Sequence, residues 1–261
     1  MVRAAAFFDL DKTIIATSSA TAFSRGFLAE GLLTRRRVVA SAYAQLAYLL
    51  GSADEAATER LRAQLARTVT GWDVATVSSV VRATLHESID PTVYAEAVEL
   101  IAEHHAAGRD VVVVSASGAE VVEPIAEMLG ADAAVATRMA VADGRYTGDV
   151  EFYAYGENKA TAVRELADAR GYDLDACYAY SDSVTDAPML GAVGHAYAVN
   201  PDRALRRLAV EHGWGVLTFR RTVRLSRLHR RARVTAAAAA AVVLAVAALL
   251  VLRRRRRTPT P

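Results

Sequence analysis

The chain has 261 residues, of which 53% are apolar, a formal net charge of +2 and a single cysteine. A chain of this length can form one large domain or a domain with an insertion. A single cysteine excludes an intrachain disulfide framework. Residues 1–219 carry 19 basic against 29 acidic side chains, whereas residues 220–261 carry 12 arginines and no acid. This division excludes a uniformly basic surface, so we expect no nucleic acid partner.

Short apolar runs alternate with segments of helical periodicity. The apolar runs predict buried strands over Ala4–Phe8, Asp110–Val114, Ala133–Ala136, Ala176–Tyr180 and Ala196–Val199. The periodic segments predict helices over Thr92–Ala107, Glu120–Leu129, Lys159–Arg170 and Asp202–His212, each followed by a glycine that can cap it. Pro124 predicts a kink in the second helix, or a later start. The alternation indicates an α/β fold, a doubly wound parallel sheet covered on both faces.

Two segments depart from this alternation. Asp143 and Gly144, within residues 139–152, predict a β-hairpin. Residues 17–88 follow the first strand, are rich in Ala, Leu and Arg, and are too long for one crossover connection. We interpret them as an inserted helical subdomain between two parts of a core domain, residues 1–16 and 89–219. The alternative is a set of extra helices on the flank of the sheet.

The end of the chain has the pattern of a membrane anchor. Residues 234–252 contain nine Ala, five Val, four Leu and one Thr, and a helix of this length spans about 28 Å, close to the thickness of a bilayer core. Seven arginines lie in a basic juxtamembrane segment, residues 220–233, and five in a basic tail, residues 253–261. The pattern predicts a single-pass transmembrane helix. An Ala-rich helix buried against another subunit is the alternative.

The same segment predicts a location in the cell membrane. The upstream flank has more arginines than the downstream flank, which favours a cytoplasmic position for the folded body. The N-terminus does not resemble a signal peptide, because charged Asp9 interrupts its short apolar run. The sequence makes no prediction of the oligomeric state.

Polar residues gather where the predicted strands end, and ligands of doubly wound sheets bind at this edge. The set comprises Asp9 and Asp11 after the first strand, Ser115 and Ala116 after the second, Lys159 at the start of a helix, and Asp182 and Asp186 after the fourth strand. We therefore expect a functional site there.

Lysine usage singles out Lys159. The chain has 29 arginines and only two lysines, Lys12 and Lys159. Lys12 is compatible with a solvated charge on a loop. Lys159 is the better candidate for a compact ammonium group placed beside anionic oxygens, a position that the planar guanidinium of arginine fills poorly. Several neighbouring carboxylates would repel each other without a cation, and oxygen-only ligation suits Mg²⁺. Carboxylates, Mg²⁺, a lysine and a hydroxyl together predict phosphoryl transfer, in which an aspartate can be the nucleophile.

The segment DLDKT, the strand-terminal Ser115, Lys159 and the segment SDSVTD resemble, in order and spacing, the four motifs of the haloacid dehalogenase (HAD) superfamily. The insertion at residues 17–88 resembles the helical C1 cap of its subfamily IB, the phosphoserine-phosphatase-like hydrolases. The resemblance covers approximately residues 4–200. It implies a HAD-like Rossmannoid core and a Mg²⁺-dependent hydrolase of a small phosphomonoester, acting through an aspartyl-phosphate.

The resemblance also implies roles for the site residues. Asp9 would be the nucleophile, and Asp11 the general acid and base. Lys159 would neutralise Asp9 and hold the phosphate together with Ser115 and Ala116. The implied Mg²⁺ site consists of Asp9, the backbone carbonyl of Asp11, Asp182, and Asp186, which would orient metal-bound water.

Departures from the family pattern concern the substrate. Ser183 and Thr185 replace the usual Gly and Asn of the last motif, and residues 16–21 lack the glutamate that grips the amino group of phosphoserine. These departures leave open a substrate other than phosphoserine, again a phosphate ester. One candidate is a lipid-like phosphate at the membrane, bound by apolar side chains of residues 40–50. The alternative, which the sequence favours, is that those side chains pack the core of the insertion.

Two other functions compete with hydrolysis. A signalling receiver-type domain also combines aspartates, a lysine and a doubly wound sheet, but it does not need the long insertion. A membrane-anchored binding protein without turnover is disfavoured by the presence of both Asp9 and Asp11. Outside the site, Cys177 is predicted to be buried, and the adjacent His104 and His105 to lie on a helix surface.

Overall fold

The computed structural model describes residues 3–33, 63 and 66–225. Within these residues, one sheet has the strand order β4-β3-β2-β1-β5-β6-β7. Its strands are β1 (Ala5–Phe8), β2 (Asp110–Gly118), β3 (Ala133–Ala142), β4 (Arg145–Phe152), β5 (Tyr178–Ser181), β6 (His195–Val199) and β7 (Gly215–Leu217). Neighbouring strands are parallel except for β3 and β4.

Helices cover both faces of the sheet. They are α1 (Ser19–Ala29), α2 (Val74–Ser88), α3 (Ala95–Ala106), α4 (Ala119–Leu129), α5 (Glu157–Arg170), α6 (Ala187–Leu190) and α7 (Arg203–His212). Successive β1 residues point to opposite faces, so that Phe8 joins one apolar cluster and Phe7 the other. Each fully buried phenylalanine contributes about 1.5–3 kcal/mol. This is the expected α/β architecture, a doubly wound parallel sheet.

The expected hairpin is formed by β3 and β4. Asp143 and Gly144 have positive φ angles of 50° and 75°, as a two-residue hairpin turn requires. Antiparallel pairing with β4 carries β3 past Ala136, where the sequence prediction ended it. The hairpin tip also contacts the start of α2, because the Val74 N–H donates to the Gly144 carbonyl at 3.0 Å.

Helix boundaries differ from the prediction by one to three residues, and two of the differences involve a proline. The helix α3 begins at Ala95 and not at Thr92, because Pro91 lies in a short 3₁₀ turn, Asp90–Thr92, after which the chain is extended. The helix α4 begins at Ala119, so the later start predicted from Pro124 is wrong. The proline ring removes one backbone hydrogen bond without ending the helix.

The predicted membrane-anchored fold has to be corrected. Of the helices that the structure describes, none is long and apolar enough to span a membrane. The longest of them, α2, has 15 residues and covers about 22 Å, short of the roughly 30 Å of a bilayer core. The predicted transmembrane fold and cell-membrane location are therefore wrong for this part of the chain. Residues 234–252 and 40–50 lie outside the described residues.

Candidate active site

Asp9 directly follows β1 at the carboxyl edge of the sheet, and it is buried. Its N–H donates to the Tyr180 carbonyl at 2.9 Å, which extends the pairing of β1 with β5. The chain then turns sharply: the Leu10 carbonyl accepts the Ile14 N–H at 3.0 Å, and Lys12 has a φ of 61°. Because β1 lies between β2 and β5, this turn places Asp9 in the middle of the sheet edge.

The Lys159 ammonium joins Asp9 to Asp186. Its Nζ donates to Asp9 Oδ1 at 2.7 Å and to Asp186 Oδ2 at 2.8 Å, and all three side chains are buried. Lys159 lies in the first turn of α5, and Asp186 ends a short 3₁₀ turn after β5. Ser181, the last residue of β5, donates its hydroxyl to Asp186 Oδ2 at 2.7 Å. Three chain segments thus meet in one buried cluster of charge-assisted hydrogen bonds.

Burial and the charge of neighbouring carboxylates make Asp9 and Asp182 harder to ionise. Burial raises the pKa of Asp9, the Lys159 ammonium opposes this rise, and the charges of Asp186 and Asp182 add to it. Burial also raises the pKa of Asp182 to about 7. For Lys159, burial alone would lower the pKa, but the charges of Asp186 and Asp9 outweigh it and raise the pKa. The buried Lys159 ammonium and the exposed Lys12 therefore oppose three carboxylates, which leaves an excess of negative charge.

The Asp11 carboxylate is held by the start of α1. Its Oδ1 accepts the Ser19 N–H at 2.9 Å, and its Oδ2 accepts the Ser19 hydroxyl at 3.3 Å. Burial raises the pKa of Asp11, and the hydrogen bonds from Ser19 oppose the rise. Ser18 caps the same helix by accepting the Thr21 N–H. The helix start therefore determines how the Asp11 carboxylate is oriented.

Ser115 is buried where β2 stops pairing regularly with β3. Its hydroxyl oxygen accepts the Ser117 N–H at 3.2 Å, and the Ala116 carbonyl accepts the Thr137 hydroxyl at 2.7 Å. Three residues after Ala116, α4 begins, and a helix N-terminus favours anions. The end of β2 therefore places the Ser115 hydroxyl and the N-terminus of α4 at the edge of the sheet that carries Asp9.

The structure brings some of the predicted site residues into direct contact. Asp9, Lys159 and Asp186 form one hydrogen-bonded cluster, and Asp182 lies close enough for its charge to act on Asp9. The hydrogen bonds of Asp11 run to Ser19. Within residues 3–33, 63 and 66–225, no three His, Cys, Asp or Glu residues are grouped as a metal site would group them. The roles of the seven predicted site residues stay predictions.

Sequence reasoning assigned no role to Ser19, Ser117 or Ser181. Ser18 and Ser19, just before an apolar periodic segment, are a typical helix-start signal. That signal locates the helix but does not reveal that Ser19 contacts Asp11. Ser181 directly precedes Asp182, and its position at a strand end was the available indication.

His104 is buried, so the prediction that places it on a surface is wrong, whereas His105 is exposed. The Nε2 atom of His104 lies 2.9 Å from the Tyr180 hydroxyl, and Arg109 Nε donates to the Nδ1 atom of His104 at 2.7 Å. The helix α3 turns His104 toward the sheet, where it packs edge-on against Phe8. Burial, with the Arg109 charge, lowers the pKa of His104 to about 4. Cys177 is buried, as predicted.

Known proteins share this fold and much of this sequence. The sequence profile of the haloacid dehalogenase-like hydrolases matches residues 6–191. A probable phosphatase of Mycobacterium tuberculosis is 61% identical over 223 residues, 85% of this chain and 78% of that protein. A phosphoserine phosphatase of the same species is 39% identical over 219 residues, 83% and 71% of the two chains. A solved phospho-aspartyl intermediate analogue of phosphoserine phosphatase has the same fold at 22% identity, with a TM-score of 0.61 over 88% of this chain and 99% of that one.

Proposed function

We propose a reaction for this chain on the ground of its family: it belongs to the haloacid dehalogenase-like hydrolases, in their phosphoserine-phosphatase-like branch, and is a phosphatase. The alternative of a binding protein without turnover is therefore wrong. The proposed reaction is Mg²⁺-dependent hydrolysis of the phosphomonoester of a small metabolite, with an aspartyl-phosphate on Asp9. The observation that carries it is the position of Lys159, bonded to both Asp9 and Asp186 at the strand ends.

Asp9 is the nucleophile of the proposed reaction. Its carboxylate oxygen forms a bond to phosphorus while the ester oxygen–phosphorus bond breaks. Lys159 favours the anionic form of the buried Asp9, against the effect of burial, and with Ser115 and the backbone at Ala116 it balances the charge of the phosphate oxygens. A mobile or exposed cation would do this poorly, because water would screen its charge.

Asp11 moves the protons. In the first step its carboxylic acid gives a proton to the leaving alkoxide, and in the second step its carboxylate takes a proton from the water that attacks the phosphorus of the aspartyl-phosphate. That attack releases inorganic phosphate and restores Asp9. Burial, which raises the pKa of Asp11, favours the protonated form that the first step needs.

The proposed donor set is small, two carboxylates and one backbone carbonyl, but oxygen-only donors suit Mg²⁺, which keeps several water ligands. The three carboxylates of the cluster outnumber the nearby ammonium groups, and the charge of Asp186 raises the pKa of both Asp9 and Asp182, an effect that a bound cation would offset. We assign Asp9, Asp182 and the carbonyl of Asp11 to the ion, with Asp186 beside them. When bound, Mg²⁺ would neutralise charge on the transferred phosphoryl group.

The proposed substrate is a small phosphate ester of the phosphoserine type. A 39% identical relative bears the name phosphoserine phosphatase, which supports this class. The missing acid in residues 16–21 leaves the amino group of phosphoserine without its usual partner.

We propose that residues 17–88 form the cap over the site, and residues 1–16 and 89–219 the core.

The test is phosphate release by the full-length chain with Mg²⁺. The panel contains phosphoserine, phosphoglycolate and a sugar phosphate, and Asp9→Asn is the control. Hydrolysis of at least one ester by the unchanged chain, and none by the variant, is expected. Equal rates for the two proteins would contradict the proposal.

A further inference from the structure

One buried hydroxyl connects three parts of the active site. Ser19, the first residue of α1, has no exposed surface, and both its N–H and its hydroxyl reach the Asp11 carboxylate. Its Oγ also lies 2.8 Å from the hydroxyl of Ser117, near the end of β2. Asp11 in the turn after β1, the start of α1 and the end of β2 are therefore joined through this single side chain.

We propose that Ser19 is a positioning residue for the general acid: it holds the Asp11 carboxyl group in the orientation from which the leaving alcohol is protonated. This inference rests on the proposed role of Asp11. The terminal torsion of an aspartate is broad, so one hydrogen bond leaves the carboxyl plane free to rotate. A second bond to the other oxygen fixes that plane, and Ser19 supplies both.

The direction of the hydrogen bonds supports this role. An ionised carboxylate only accepts, so the Ser19 hydroxyl donates to Asp11, and the Ser117 hydroxyl can donate to Ser19. A backbone N–H can only donate, so Asp11 Oδ1 is an acceptor in both protonation states. In the acid form the proton therefore lies on Oδ2, which can still accept the Ser19 hydroxyl through its other lone pair. Ser117 in turn limits the rotation of the Ser19 hydroxyl.

The neighbouring serine provides a matched control. The Ser18 hydroxyl oxygen accepts the Thr21 N–H and lies 2.7 Å from the Thr21 hydroxyl. Replacing either serine by alanine alters the start of α1 by one hydroxyl group. Only Ser19→Ala removes a bond to Asp11, and it leaves the bond from the backbone N–H in place.

The experiment compares two substrates of the full-length chain with Mg²⁺, an alkyl phosphate and an aryl phosphate. An alkoxide is a poor leaving group that needs the proton from Asp11, whereas a nitrophenolate leaves without it. The value of kcat/KM reports the step in which the leaving group departs. We expect Ser19→Ala to lower kcat/KM about tenfold for the alkyl ester and at most about twofold for the aryl ester, a part of the roughly 10²–10⁴-fold that general acid catalysis supplies.

Two further variants separate the possible failures. Ser18→Ala should leave the ratio of the two kcat/KM values unchanged, and Asp11→Asn should change this ratio more than Ser19→Ala does. The ratio does not depend on the fraction of folded enzyme, so a partly unfolded variant remains informative. An unchanged ratio in Ser19→Ala overturns the positioning role if Asp11→Asn changes it. An unchanged ratio in Asp11→Asn overturns the proposed acid itself.

Discussion

Lys159 Nζ lies 2.7 Å from Asp9 Oδ1, and both side chains are buried at the carboxyl edge of the sheet. Such a pair stabilises the fold little compared with apolar residues of the same size, but the loss of one partner leaves an uncompensated buried charge. The lysine therefore affects folding as well as the proposed chemistry.

Lys159→Met should lower both the stability and the activity. We expect the free energy of unfolding to fall by about 3–5 kcal/mol, because Asp9 and Asp186 lose their shared cation. Urea denaturation measures this change. As a control, Arg164→Met removes an exposed ion pair with Glu157 on the same helix, and should cost less than about 1 kcal/mol. A Lys159→Met protein as stable as the Arg164→Met protein would refute the importance of the buried pair.

Removal of divalent metal should abolish phosphate release, and Mg²⁺ should restore it, whereas Zn²⁺ should restore it poorly because the assigned donors are all oxygens. A second measurement does not depend on turnover: Mg²⁺ should raise Tm by preferential binding to the folded chain. Asp182→Asn should remove this rise, and Asp175→Asn, an exposed control, should keep it. Full activity in excess chelator, or an unchanged Tm shift in Asp182→Asn, would argue against the assigned site.

His104 should make the fold sensitive to acid. Its pKa is about 4 in the folded chain and near 6.5 when unperturbed, so the unfolded state binds a proton first as the pH falls. Stability should therefore decline between about pH 6.5 and 4. His104→Gln, which does not titrate, should show a shallower decline in urea denaturation across this window. His86→Gln, an exposed control on α2, should follow the unchanged chain. If the free energy of unfolding declined equally with pH in the unchanged chain and in His104→Gln, His104 would not contribute to the sensitivity to acid.

Much of the core could be predicted because its signals are local. Continuous apolar runs such as Val111–Val114 indicate strands buried on both faces, and Gly130 and Gly171 end their helices in the left-handed conformation that glycine favours. The carboxyl ends of neighbouring parallel strands must meet at one edge. For this reason the sequence alone could indicate that Asp9 and Asp186 lie near each other.

What could not be predicted depends on contacts between distant segments. Ser19 and Ser117 are separated by 98 positions, and no periodicity indicates that their hydroxyl groups meet. The burial of His104 follows from how α3 packs on the sheet, which places it beside Tyr180. The strand β7 is a short edge strand of three residues, Gly215–Leu217, too short to produce a pattern.

The most direct test of the proposed mechanism is to locate a phosphoryl group on the enzyme. The full-length chain is mixed with Mg²⁺ and an aryl phosphate, quenched rapidly in acid, digested and analysed by mass spectrometry. The account predicts a phosphorylated peptide that contains Asp9, and its absence in Asp9→Asn, which should also lack turnover. Turnover by Asp9→Asn at the unchanged rate, or a phosphoryl group trapped on another residue, would contradict it.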